Sequence, residues 1–205
     1  SGLFALVVAA IVVAGIGTAT GAGGSITGTV AVTGIASSAD AVVFIEQAPG
    51  TFPPGKPVEM DQLKYLFIPH VLPVVAGTTV KFLNSDPTPH NVFSPDNEKY
   101  NLGTWPKGQN KDYTFSKCAK PPCVYTQLCR VHPEMEGFVV VLQNPHFAVT
   151  DAKGHYEIGN VPPGSYTLDD RKVRAYVNEV QADLRAAGLG PLENPTYRDG
   201  KPASH

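Results

Sequence analysis

Cys129, His132 and Met135 stand three residues apart in "QLCRVHPEMEGFVVV", residues 127–141, in a chain with only three cysteines and two methionines. A thiol, an imidazole and a thioether so close together are the donors a copper ion recruits, because Cu(I) favours sulfur while Cu(II) accepts imidazole nitrogen. Three ligands do not close such a site. A mononuclear redox copper needs two histidines and a cysteine in a plane with a weak axial methionine, so a second histidine must arrive from elsewhere. The stretch "NSDPTPHNVFS" supplies His90, in a Pro-rich turn just past a predicted strand that ends near Leu83. Cys129 follows the strand-like run "CVYTQL", and His132 and Met135 lie on the loop before "GFVVV". One strand end and one loop would then converge, as ligand-bearing loops on a rigid scaffold do. The candidate metal ligands are His90, Cys129, His132 and Met135, and no catalytic residue is expected.

Other uses of the same residues compete. Cys118, Cys123, Cys129 and His132 have spacings a Cys3His zinc site tolerates, although that set leaves His90 and Met135 without a purpose. If Cys118 and Cys123 of "CAKPPC" instead form a disulfide, Cys129 is left single, as a metal thiolate should be. So small a loop would stabilise the fold by less than the ~3 kcal/mol of a 15-residue loop. A c-type haem is excluded by the absence of C-x-x-C-H. Copper enzymes need further coppers on clustered histidines, and the six histidines here include no H-x-H pair, so an enzyme is not expected. His70, between apolar residues in "IPHVLPV", reads as a packed histidine, and Met60, in a distant segment, as core.

The elements that must position these ligands read as strands. The 205 residues are 42% hydrophobic and 9% aromatic, enough to bury a core, and the 20 glycines and 19 prolines are spread along the chain as turns between short strands require. A balance of 16 basic against 18 acidic residues, formally −2, offers no footprint for nucleic acid. Strand-like runs are "SITGTVAVTG", "DAVVFIEQAPG", "KYLFIPHVLPVVAG", "TTVKFLNSD", "KDYTFS", "CVYTQLC" and "GFVVVLQ", then "HYEI" and "SYTL" around the turn "NVPPG". "TFPPGKPVEM" reads as a connection too proline-rich for a central strand. Eight or more short strands at this spacing predict a mainly β protein, a sandwich or barrel.

The two ends differ. Leu3 to Ile16 are all apolar or glycine and no charge precedes Asp40, so residues 1–24 read as a membrane-anchoring helix or an uncleaved export signal. Either places the remainder outside the cytoplasm, in an oxidising compartment that suits a disulfide. From Asp169, a possible N-cap, Val173, Tyr176, Val177, Val180 and Leu184 recur at helical spacing, with Gly188 and Pro191 as a stop. An amphipathic helix and an extended tail are expected over 169–205, leaving 25–168 as the β domain.

"PHNV" and C-x2-H-x2-M followed by "GFVVV" resemble the cupredoxins of amicyanin and plastocyanin type. The stretches 67–94 and 128–168 are most similar to plastocyanin-like proteins of the methylamine-utilisation type. The resemblance covers roughly 25–168. It implies a cupredoxin-like Greek-key β-sandwich holding one type 1 (blue) copper, with His90, Cys129 and His132 in the plane and Met135 axial. It also implies single-electron transfer in the periplasm. The expected partners are redox proteins, a cytochrome or a membrane redox complex, and the apolar N-terminal segment would hold the chain to the inner membrane. Asn91 would tie the two ligand loops together by hydrogen bonding. His132, flanked by Val131 and Pro133, would be the electron port, with Glu134 and Glu136 as exposed acids beside it. "VTDAKGHYEIGNVPPGSYTL" with "GTVAVTG" also resembles carboxypeptidase-regulatory-like β modules. The C-terminal extension leaves open a different role, a structural subunit of a larger membrane redox assembly.

Overall fold

The computed structural model describes residues 23–31 and 37–169. Of the N-terminal segment 1–24, residues 1–22 lie outside these residues, and so do the amphipathic helix and tail after Asp169. Among the described residues there are fourteen strands and no helix, hence none long and apolar enough to cross a membrane. In chain order they are β1 (Gly24–Thr29), β2 (Val42–Ile45), β3 (Val58–Leu63), β4 (Leu66–Ile68), β5 (Val71–Val75), β6 (Thr79–Leu83) and β7 (His90–Ser94). There follow β8 (Tyr100–Trp105), β9 (Asn110–Thr114), β10 (Cys123–Leu128), β11 (Glu136–Leu142), β12 (Phe147–Val149), β13 (His155–Val161) and β14 (Leu168–Asp169).

The described residues fall into two compact units, one from the segments up to Pro49 and from His146 onward, the other Gly50–Pro145. In the first unit β1 pairs antiparallel with β13, and β2 lies between β12 and β14. The four residues of β2, "VVFI", are all buried, the pattern of a strand flanked on both edges. The stretches likened to regulatory β modules contribute β1, β13 and β14 to this unit.

The second unit carries every candidate ligand. It has a five-stranded sheet in the order β5-β11-β10-β7-β8 and a four-stranded sheet in the order β4-β3-β6-β9. Each sheet has one parallel pair, β5 with β11 and β3 with β6. Alternation sets which side chains go inward: in β6 Val80 and Phe82 are buried while Thr79, Lys81 and Leu83 are less so, and in β3 Met60 and Gln62 are buried. Met60, Val80 and Phe82 join Phe67, Val92, Trp105, Phe115, Tyr125, Val139 and Val141 in one hydrophobic cluster, each large one contributing about 1.5–3 kcal/mol by leaving water. Met60 is core, as expected.

Three local expectations are corrected. "VEM" is not part of the proline-rich connection but opens β3, because the prolines stop at Pro57 and Val58 pairs with Val80. The run "KYLFIPHVLPVVAG" is two strands, interrupted at Pro69, which has no N–H to give a ladder. His90 sits not in a turn but at the first position of β7, opposite Trp105 of β8.

Candidate metal centre

Two segments deliver the candidate ligands to one end of the five-stranded sheet. The first leaves β6 at Leu83 and is folded by Asn84, whose Nδ2 donates to the carbonyls of Thr88 (3.0 Å) and Trp105 (2.9 Å) and whose Oδ1 accepts the Asp86 N–H (2.9 Å). The N–H groups of Ser85 and Asp86 donate to the Gln62 carbonyl of β3. So braced, the turn hands His90 to β7 fully buried. The second segment is the connection from β10 to β11, whose flanking residues Leu128 and Glu136 are paired. It is drawn tight by the Met135 N–H donating to the His132 carbonyl at 3.0 Å.

Asn91 joins the two. Its N–H donates to the Cys129 sulfur (3.3 Å) and its Oδ1 accepts the Arg130 N–H (3.3 Å). Its Nδ2 donates to Asn101 Oδ1 (2.9 Å) and to the Gly103 carbonyl (2.7 Å). A single buried amide thus fixes the ligand loop to β7 and β8.

The two histidines turn the same ring nitrogen inward. His90 Nδ1 lies 4.0 Å and His132 Nδ1 3.8 Å from Cys129 Sγ, and the two Nδ1 atoms are 2.9 Å apart. Ligands sharing one ion can be separated by no more than the sum of their bond lengths, about 4.3 Å for a sulfur and an imidazole nitrogen at zinc-like distances. All three separations satisfy this. Among the described residues this trio is the one group of three or more His, Cys, Asp or Glu side chains with ligand atoms close enough for a metal, all within 4.8 Å. Met135 is 1% exposed and packs in the same core cluster as Cys129, so the loop presents its thioether to the interior and not to water.

Charge is arranged for a thiolate. Burial pushes the Cys129 thiol up, but the hydrogen bond with His90 and the N–H groups of Asn91, His132 and Val131 outweigh it, and its pKa is lowered. Burial likewise opposes a charged His90; hydrogen bonds with the Cys129 sulfur and the Asp86 carboxylate reverse the balance and raise its pKa. His132 is lowered, by burial and by the neighbouring charge of His90. Asp86 is lowered against its own burial by the N–H groups of Tyr65 and Lys64 and by His90, whose Nε2 is 2.8 Å from Oδ2.

The cysteine question resolves on geometry: Cys118 and Cys123 are joined as a disulfide and Cys129 is a free, buried thiol. Two of the three thiols of the Cys3His zinc set are therefore committed, and that reading falls. His70 is 7% exposed with its ring edge-on to Phe138, 5.4 Å between centroids, the packed histidine expected. The two acids beside the port divide. Glu134 is exposed, but Glu136 is buried at the head of β11, a strand covered on both faces, and is not a surface acid. Two residues at the site were not foreseen: Asp86 behind His90, and Tyr65, whose ring stands edge-on to both imidazoles. An acid four residues before a candidate ligand was the only sequence signal for the first.

The second unit is thus mainly β and sandwich-like, with a free thiol and two inward-turned imidazoles at one end of its larger sheet placed where they could hold a metal ion. No family model matches the sequence, and no curated protein does. Among solved structures the chain is similar to a purple cupredoxin from Nitrosopumilus maritimus, 26% identical over 41% of this chain and 98% of that one, with a TM-score of 0.37. It is similar to a reduced mutant of amicyanin, 28% identical over 48% of this chain and 90% of that one, TM-score 0.37. It is also similar to the copper-containing nitrite reductase of Thermus scotoductus SA-01, 26% identical over 47% of this chain but only 25% of that one, TM-score 0.38. At such scores the likeness carries no weight of its own; the sheets define the fold and the side chains define the site.

Proposed function

We propose that this chain is a one-electron carrier, not an enzyme, built around a single type 1 copper ion that His90, Cys129, His132 and Met135 would hold. The observation that carries the reading is the convergence of a free buried thiol and two imidazole Nδ1 atoms within 4.8 Å. The donor set fits the metal: a softened thiolate and two neutral nitrogens suit both copper oxidation states. Copper so bound supplies a one-electron couple. The chain's part is to hold the donors still. Asn91 ties the ligand loop to β7 and β8, Asp86 fixes the second nitrogen of His90, and the core holds Cys129 and Met135, so little rearrangement accompanies a change of charge. His132, partly exposed between Val131 and Pro133, is the port at which a redox protein, a cytochrome or a membrane redox complex, would dock. An exported location at the inner membrane is part of the proposal; the apolar run Leu3–Ile16 and the Cys118–Cys123 disulfide support it.

Loaded with Cu(II), the purified chain is expected to show an intense thiolate-to-copper absorption, with one copper per chain, that bleaches on reduction and is absent from Cys129→Ser. A band that survives in Cys129→Ser would sink the thiolate assignment, and with it the function.

A further inference from the structure

The turn between β3 and β4 is unusual. Leu63 pairs with Leu66, so only Lys64 and Tyr65 make the hairpin loop, and both are left-handed, with φ of 55° and 61°. Such a turn normally takes Asn-Gly, because a side chain there is crowded. Here the turn is held by one buried carboxylate. Asp86 Oδ1 accepts the Lys64 N–H at 2.7 Å and Oδ2 accepts the Tyr65 N–H at 2.9 Å, while Oδ2 also lies 2.8 Å from His90 Nε2. The same acid therefore fixes the hairpin tip and the first candidate ligand.

The residue so presented lies over the site. The Tyr65 ring meets His132 edge-on at 4.8 Å between centroids and His90 at 5.6 Å, with interplanar angles of 80° and 87°. Its hydroxyl is 3.3 Å from Thr88 Oγ1, which anchors the far end of the ring to the loop that leads to His90. Tyr65 is 43% exposed, so the ring has imidazoles on one side and water on the other. A large aromatic residue in a conformation that disfavours it, held at backbone and tip, needs a local reason.

We propose that Tyr65 is a cap over the imidazole pair that keeps small exogenous donors, such as azide or free imidazole, from the metal. Asp86 is the positioning residue that locks cap and His90 together. The proposal rests on the metal-centre reading above and deepens it: a capped site exchanges electrons with a docked partner through the covered face and admits no substrate to its ion.

The test uses the full chain loaded with Cu(II), titrated with azide and followed by electron paramagnetic resonance and the thiolate absorption. The wild type is expected to keep both signals unchanged. Tyr65→Gly, which removes the ring while easing the backbone, is expected to bind azide at least about tenfold more tightly, a 1.4 kcal/mol change. Lys64→Gly eases the same turn but keeps the ring, and is expected to behave as wild type. Equal azide binding by wild type and Tyr65→Gly overturns the cap, and so does azide binding by Lys64→Gly equal to that of Tyr65→Gly. For Asp86 the variants are Ala and, should that fail to load copper, Asn. Either is expected to admit azide and to shift the reduction potential upward, since an anion behind His90 favours Cu(II). A loaded variant with wild-type azide resistance and potential removes Asp86 from the mechanism. If wild type shows no thiolate absorption before azide is added, the metal-centre reading has failed instead.

Discussion

Glu136 opens β11 only 5% exposed, and its Oε1 finds no hydrogen-bond partner among the described residues. Burial, with the charge of Asp96 adding to it, pushes its carboxyl up to about 7 from an ordinary 4.5. The unfolded chain then gives up this proton near 4.5 and the folded chain near 7. Between those values the folded state binds more protons, so stability falls as pH rises, and above 7 the whole penalty stands, on the order of 3 kcal/mol. Metal-free Glu136→Gln is accordingly expected to exceed the wild type in denaturant melts at pH 8 by about 1–3 kcal/mol, the gap closing by pH 4.5; a gap of the same size at both pH values would contradict it. Asn91 gives a contrasting case, since its amide makes three hydrogen bonds to backbone and side chain between the ligand loop and two strands. Asn91→Ala should cost about 2–3 kcal/mol at about 1 kcal/mol for each, read as a lower denaturation midpoint with an unchanged m-value. The candidate ligands were legible before folding because thiol, imidazole and thioether announce their chemistry by type. Asp86 and Tyr65 were not, because an ordinary acid and an ordinary tyrosine acquire their roles only when the β3–β4 tip is brought over the 84–90 turn.

At the scale of elements, the strands easiest to read are those whose own composition decides them. β6 alternates cleanly and β11 is a continuous apolar run after Glu136, and both stand where the sequence put them. β7 and β8 were hidden: "HNVFS" follows two prolines, and "YNLGTW" contains Asn and Gly, so neither has a convincing local preference. They become strands by pairing with each other and, through Phe93 and Leu128, with β10. Those two pairings put His90 beside the β10 exit that carries Cys129, so the least legible elements are the ones that assemble the site. β4 matters in another way, because it packs against the start of β11 where Gly137 leaves room. A methyl group there would come within 2.6 Å of Phe67 Cβ and 3.3 Å of the His70 carbonyl. Gly137→Ala is therefore expected to destabilise by about 1–3 kcal/mol, as overpacking does, and to weaken copper retention, since Met135 is only two residues away. Thermal melts with and without metal check both, and a variant matching wild type in each would show that β4 yields freely.

For the molecule as a whole, holding a metal and staying folded are one equilibrium. Anything that binds only the folded chain stabilises it, by about 2.7 kcal/mol when free ligand is at a hundred times its dissociation constant. In the metal-free protein His90 holds a proton more firmly than an ordinary imidazole, because it faces a thiol whose own pKa is lowered. A metal must displace such protons, so each one released weakens binding tenfold per unit fall in pH, or about 1.4 kcal/mol. The sign follows directly. Lowering pH through the range where His90 is protonated in the metal-free state removes copper-dependent stability, while raising it restores that stability. Melting temperatures of the full chain with and without copper at pH 5, 6 and 7 should thus show a copper-induced increase that grows with pH and is largely lost in Cys129→Ser at every pH. An increase that is constant across the range would mean that the ion binds groups already free of protons, at odds with the raised His90, and the ligands would have to be sought elsewhere on the chain.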